Sequence, residues 1–261
     1  MNDIIIDLAE GVLRVELNRP EKKNAMTSDM YTKVAEVLRN AAQDDRVRVV
    51  LWHGAGDAFT AGNDIEDFGK NPPGPMESPQ GALMGALVDF NKPLIAAVRG
   101  AAVGGGTTML LHCDFVFAGE STQFQLPFIN LALPPEFGST FLLPLTIGHR
   151  PSAELMLLGG PFDARRALEL GLVTQVLPDK DLMAAAIKTA QKLAAKPTAA
   201  LQASKQLLMR SFRDQIKAAM AAENLVFSES LRSEEAKEAR AAFLEKRPPD
   251  FSKIRKSAAA A

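Results

Sequence analysis

The sequence predicts an α/β fold with a helical C-terminal region, and three observations predict it. Lys92 to Asp114 reads as an apolar strand feeding a glycine turn that opens a helix. Val49 to Ile65 repeats the plan, an apolar strand followed by small residues and a turn. From Pro151 onward the chain turns to helices, alanine-rich from near Lys196.

Taken in order, Ile4 to Leu8 and Val12 to Leu17 read as two strands of a hairpin turning around Glu10-Gly11. Asn18 to Met26 is a loop by composition. Ser28 to Gln43 carries Met30, Val34, Val37 and Leu38 near helical spacing, with polar residues between them. A short helix is expected around Ile65 to Phe68 and a second near Pro79 to Phe90. Between them Asn71-Pro72-Pro73-Gly74-Pro75 must form a loop, because proline removes donors and fixes φ. Phe68, Met84, Leu87 and Val88 serve either core packing or the wall of an apolar pocket. Leu94 to Val98 is a buried strand by its apolar, partly β-branched run, and Thr107 to His112 a helix. Later helices are expected at Ser152 to Leu158, Ala164 to Leu170, Leu182 to Ala195, Pro197 to Phe212, Asp214 to Phe227 and Ser233 to Lys246. Gly159-Gly160 and Gly171 punctuate them as helix ends. The tail Ser257 to Ala261 should fray.

A chain of 261 residues suffices for one large domain or one domain with an appendage. Acidic residues number 31 against 30 basic ones, which gives no electrostatic reason to expect a nucleic acid or an anionic membrane as partner. The N-terminus has acidic residues among its first seven positions and only a short apolar run, unlike a signal or transit peptide. No apolar run approaches a membrane span. Cys113 is the lone cysteine and forms no internal disulfide, so a reducing, cytoplasmic setting is expected. His53, His112 and His149 are scattered without metal-ligand spacing, and no metal is expected.

Gly104, Gly105 and Gly106 allow a close backbone approach where the first N–H groups of a helix lack internal partners. Such a turn serves either tight packing of helix on sheet or an anion or oxyanion site. It lacks the Lys-Ser/Thr ending of a phosphate loop and the spacing of a dinucleotide fingerprint. Set beside the turn within Val49 to Ile65, it could aim two N–H groups at one point, the geometry that holds charge developing on a carbonyl oxygen.

Together these residues resemble the enoyl-CoA hydratase/isomerase (crotonase) superfamily. The likeness runs through Asn18-Arg19-Pro20, Asn24-Ala25-Met26, Phe59-x-Ala61-Gly62-x-Asp64-Ile65 and Lys92-Pro93-x-Ile95-Ala96-Ala97-Val98-x-Gly100, then Gly104-Gly105-Gly106, Cys113-Asp114 and Gly171-Leu172-Val173. It implies a crotonase-like spiral of β-β-α units over residues 1–195 and a helical oligomerisation region over 196–261, giving homotrimers or homohexamers. By position it implies that Asn63 and Gly105 donate the two oxyanion N–H groups, with the side chain of Asn63 able to narrow the acyl entrance. Ala25, Ala61, Gly62, Asp64, Ile65 and Gly104 would contact substrate beside them. Lys22 and Lys23 would meet the phosphate and pantetheine part of coenzyme A, and Phe243 and Lys246 its adenine or phosphate end, in a neighbouring subunit or the same one. Coenzyme A would be part of the substrate, with no further cofactor.

One departure bears on the chemistry. Hydratases of this superfamily use two glutamates, and the matching positions here are Thr108 and Phe128, neither a competent base near neutral pH. A carboxylate follows at Glu136, within Leu133-Pro134-Pro135-Glu136-Phe137-Gly138-Ser139-Thr140. By residue type alone a glutamate after two prolines reads as a solvated loop residue. Its setting is similar to the Δ3,Δ2-enoyl-CoA isomerase branch, where this glutamate is the sole acid/base. The resemblance therefore implies isomerisation of 3-enoyl-CoA to 2-enoyl-CoA, with Thr108 and Phe128 lining the substrate. The alternatives are hydration in a nonstandard site, another thioester reaction of the fold, or a non-catalytic acyl-CoA-binding protein.

Overall fold

A six-stranded sheet carries the architecture: β1 (Ile4–Ala9), β2 (Val12–Leu17), β3 (Val49–Gly54), β4 (Leu94–Val98), β6 (Phe115–Gly119) and β9 (Gln175–Leu177), neighbours in that order. β1 pairs antiparallel with β2, and the remaining pairings are parallel. A smaller sheet joins β5 (Ala101–Val103), β7 (Gln123–Gln125) and β8 (Pro161–Asp163). The computed structural model describes residues 2–70 and 78–254. The expected loop over 71–75 and the tail over 257–261 lie outside the described residues.

The β1–β2 turn has positive φ at both Glu10 (53°) and Gly11 (78°), the backbone of a two-residue hairpin whose twist matches its strands. In β3 and β4 the sides alternate with period two. Val50, Trp52, Leu94, Ala96 and Val98 face the main core, and Val49, Leu51, Ile95 and Ala97 face a second one. Both faces are covered, which is why these strands read as continuous apolar runs. Trp52 is 1% exposed and meets Phe59 edge to face with ring centroids 5.8 Å apart.

The helices are α1 (Ser28–Gln43), α2 (Ile65–Lys70), α3 (Pro79–Asp89), α4 (Gly105–Thr108), α5 (Ser139–Ile147), α6 (His149–Leu158), α7 (Ala164–Leu170), α8 (Asp179–Ala194), α9 (Thr198–Met209), α10 (Arg213–Ser230) and α11 (Glu234–Leu244). α8 lays Leu182, Ala186, Ala190 and Ala194 against the second core, every fourth residue and hence one stripe. α1 starts where the Thr27 hydroxyl accepts from the Met30 N–H, and packs Met30, Tyr31, Val34 and Leu38 into the main core beside α3. Among the described residues no helix is long and apolar enough to cross a membrane.

Two expectations are corrected, and one helix stands where none was expected. The helix predicted over Thr107 to His112 is a single α-turn, α4, running into a 3-10 turn, Met109–His112. The stretch beyond Pro151 is not wholly helical, because β8 and β9 intervene; three residues are too few to show a period. α5 contains Pro144, whose missing N–H and ring argue against a helix on sequence grounds alone.

One ion pair and the hydrogen bonds around it tie this frame to the C-terminal helices. Lys205 of α9 donates from Nζ to the Asp114 carboxylate (2.7 Å) and the Lys92 carbonyl (2.9 Å), while Asp114 also accepts from the Leu94 N–H (2.8 Å). Lys92 in turn donates to the carbonyls of Ala41 (2.7 Å) and Asp44 (2.9 Å) at the end of α1, where a cation suits the helix dipole. Lys92 and Asp114 thus act on the frame rather than on a ligand.

Candidate active site

Two loops at the carboxyl ends of neighbouring strands are stitched together by Thr60. Its N–H donates to the Ala101 carbonyl (2.9 Å) and its carbonyl accepts from the Val103 N–H (3.1 Å). Its buried hydroxyl donates to the Asn24 carbonyl (2.7 Å) and accepts from the Gly62 N–H (3.1 Å). The Asn24 side chain, also buried, accepts from the Arg19 N–H (2.9 Å) and donates to the carbonyls of Ala55 (2.8 Å) and Ala58 (2.7 Å). The segments 18–26, 55–64 and 100–106 are therefore one hydrogen-bonded unit.

Each glycine of the triplet has its own reason. Gly104 sits at φ 57°, ψ −121°, open to glycine alone. A Cβ on Gly106 would stand 2.5 Å from Thr60 Cγ2, so the stitch itself excludes one. A Cβ on Gly105 would lie 3.0 Å from Glu136 Oε1 and 3.3 Å from the Tyr31 hydroxyl, so three segments converge there. Tyr31 donates to the Asn63 side-chain carbonyl (2.7 Å), bringing the turn after β3 to the same focus. Among the described residues, the main-chain N–H groups of Asn63 and Gly105 have no acceptor within the protein.

Glu136 is 3% exposed and its Oε1 has no hydrogen-bond partner among the described residues. Burial, with the charge of Glu223 adding to it, pushes its carboxyl up to about 8. The Tyr31 phenol is held well above its ordinary range by burial first and Glu136 second, so it stays protonated and donates. A carboxyl with that affinity can both take and return a proton near neutral pH.

The other predicted residues fall around this focus or away from it. Thr108 and Phe128 are buried, and both threonines after the triplet point back at main chain: the Thr107 hydroxyl to the Ala102 carbonyl (2.5 Å), that of Thr108 to the carbonyls of Gly104 and Gly105 (3.4 Å each). Asp64 directs its carboxylate to Arg19 (3.1 Å) and to the N–H groups of Glu66 and Asp67, capping α2. Ala25 supplies a carbonyl to Arg19 (2.6 Å), and Ala61 donates to the Lys23 carbonyl (2.9 Å). Ile65 opens α2, whose Phe68 meets Phe227 edge to face. Met84, Leu87 and Val88 are core residues at 2–3% exposure. Lys22 and Lys23 are exposed on the adjoining loop, and Phe243 and Lys246 at the end of α11. His53 lies 3.8 Å from Glu16, and buried His112 places Nε2 2.7 Å from the Phe137 carbonyl.

Sequence reasoning missed Tyr31 and Glu223. Tyr31 sits on the apolar stripe of α1 and reads as core. Glu223 did leave a signal: Ile216, Met220, Glu223 and Phe227 follow a helical stripe, and a carboxylate on such a stripe asks for a buried partner.

Against protein families, residues 7–254 match the model described as enoyl-CoA hydratase/isomerase. The chain belongs to that family. Its relatives include 1,2-epoxyphenylacetyl-CoA isomerase of Escherichia coli K12, 35% identical over 96% of this chain and 98% of that protein. They include 2,3-dehydroadipyl-CoA hydratase of the same organism, 35% identical over 96% and 99%. Human enoyl-CoA delta isomerase 2 is 32% identical over 94% of this chain and 64% of its own length. Among solved structures, an enoyl-CoA hydratase/isomerase from Pseudoalteromonas atlantica T6c superposes with a TM-score of 0.91 at 40% identity, covering 96% of this chain and all of that one. The fold is the crotonase fold, and the protein is an acyl-CoA enzyme of the hydratase/isomerase family.

Proposed function

We propose that this enzyme converts 3-enoyl-CoA to 2-enoyl-CoA, with Glu136 as its single acid/base. The observation that carries the reading is a buried carboxylate beside Gly105 whose Oε1 is unpartnered among the described residues, where the two positions used for hydration hold Thr108 and Phe128. The thioester carbonyl would lie against the N–H groups of Asn63 and Gly105. Ionised Glu136 would take a proton from C2, the electrons would spread over a dienolate and the carbonyl oxygen, and protonated Glu136 would return the proton at C4. No water enters the product and no redox step occurs. Each oxyanion donor is worth roughly 3–4 kcal/mol in the transition state. Exposed Lys22 and Lys23 would meet the coenzyme A phosphates, with Phe243 and Lys246 at its far end. Residues 196–261 are proposed to build a homotrimer or homohexamer working in the cytoplasm.

The test supplies 3-enoyl-CoA and 2-enoyl-CoA separately to the wild type and Glu136→Gln. Isomerisation of the first should fall about 10²–10⁴-fold in the variant while acyl-CoA binding persists. Water addition to the second that survives in Glu136→Gln would refute the reading, and a wild type that binds acyl-CoA but turns over neither would make it a binding protein.

A further inference from the structure

Between the Glu136 carboxyl and the first turn of α5, Phe137 (φ 64°) and Gly138 (φ 68°) are both left-handed. A phenylalanine in that region is strained and persists only where its surroundings hold it. Four residues do so. His112 Nε2 lies 2.7 Å from the Phe137 carbonyl. From α10, Glu223 accepts from the Gly138 N–H (2.6 Å), the Thr140 N–H (2.8 Å) and the Thr140 hydroxyl (2.6 Å). α10 also packs on the turn itself, with Ile216 Cγ2 and Met220 Cγ 3.1 and 3.2 Å from where a Cβ on Gly138 would stand.

A helix start is ordinarily capped by the residue that begins it. Here Gly138 offers no side chain, and the cap is a carboxylate 85 residues further on, 5% exposed on an apolar stripe. Burying that group is costly, and satisfying three donors offsets it only while they stay in place. The clamp therefore fixes one conformation of the segment that bears Glu136.

We propose that Glu223 is a positioning residue that aims the Glu136 carboxyl at the Gly105 focus from within the C-terminal helical region. The inference rests on the reading of Glu136 as the proton-transferring group. Glu136 faces Tyr31 from α1 and Glu223 from α10, with His112 one residue away on the Phe137 carbonyl. Tyr31 and His112 stay neutral near neutral pH; burial raises the Glu223 carboxyl too, while the hydrogen bonds it accepts from Thr140 and Gly138 favour its ionised form, so Glu223 supplies the neighbouring negative charge. Removing it should ease ionisation of Glu136.

The test follows the Glu136 carboxyl by infrared pH titration, with the Glu136→Gln spectrum subtracted, in the wild type and Glu223→Gln. The midpoint should fall by about one pH unit or more in Glu223→Gln. On 3-enoyl-CoA, kcat should fall at least ~10-fold with KM within about twofold, as expected for a misaimed group. Thr140→Val keeps the charge and withdraws one donor, so it should lower kcat without lowering the midpoint, and it serves if Glu223→Gln fails to fold. A kcat at the wild-type value in a folded Glu223→Gln overturns the proposal whatever the midpoint does, as does an unchanged kcat in a folded Thr140→Val should Glu223→Gln not fold. If Glu136→Gln retains turnover, the reading of Glu136 fails instead, and the infrared midpoint still decides whether Glu223 acts on that carboxyl.

Discussion

At Gly105 the absence of a side chain leaves room for the chemistry. An alanine there would push its methyl to 3.0 Å from Glu136 Oε1 and 3.3 Å from the Tyr31 hydroxyl, and one of them must move. Gly105 lies in the first turn of α4 without a left-handed φ, so the backbone tolerates the change. Gly105→Ala should therefore melt within a few degrees of the wild type while kcat/KM falls about 10²-fold or more, since small misplacements of a reacting group have that effect. Thermal unfolding and steady-state kinetics on one preparation check both halves. The glycine stands out in the sequence within a triplet without side chains, whereas the glutamate after two prolines reads as a solvated loop residue until the family resemblance singles it out. Tyr31 reads as core and Glu223 shows only as a carboxylate on an apolar stripe, because their partners exist only once α1 and α10 are folded against segments far away in the chain.

Among the elements, the stitch at Thr60 decides how the turns after β3 and β5 sit side by side. Thr60→Val keeps the shape of the side chain but strands the Asn24 carbonyl and the Gly62 N–H in the interior. That should remove about 1–3 kcal/mol of unfolding free energy, read by denaturant titration, and lower kcat by loosening the loop that bears Asn63. The sequence shows the long elements and hides the short ones for physical reasons. α1 declares itself by period and cap, β3 and β4 by apolar runs buried on both faces. The strands β5, β7, β8 and β9 span three residues each, and tertiary pairing alone holds them. α5 carries an internal proline and has its first turn held from α10, where Glu223 accepts from the Gly138 and Thr140 N–H groups, an arrangement no local pattern announces.

For the whole molecule, buried Glu136 links folding to pH. Its carboxyl ionises at about 8 when folded and near the ordinary 4.5 when unfolded, so between those values the folded state holds a proton that the unfolded state has released. Stability from this group therefore falls as pH rises from about 4.5 to 8 and is flat above. At about 1.4 kcal/mol for each pH unit between the two, the span is of the order of 5 kcal/mol. Urea titrations at pH 5 and pH 8 should show the wild type losing stability relative to Glu136→Gln across that interval, and parallel losses in both would refute the assignment. The helical C-terminal region shares in this balance, since Ile216, Met220 and Phe227 belong to the same core as Trp52 and Phe59.

That core supplies its own optical probe. Trp52 is the only tryptophan of the chain, sealed from water on the strand that leads to the Asn63 turn. Its indole emits from a dry, rigid setting, so the fluorescence of the unlabelled protein lies at short wavelength and shifts to the red when the core opens.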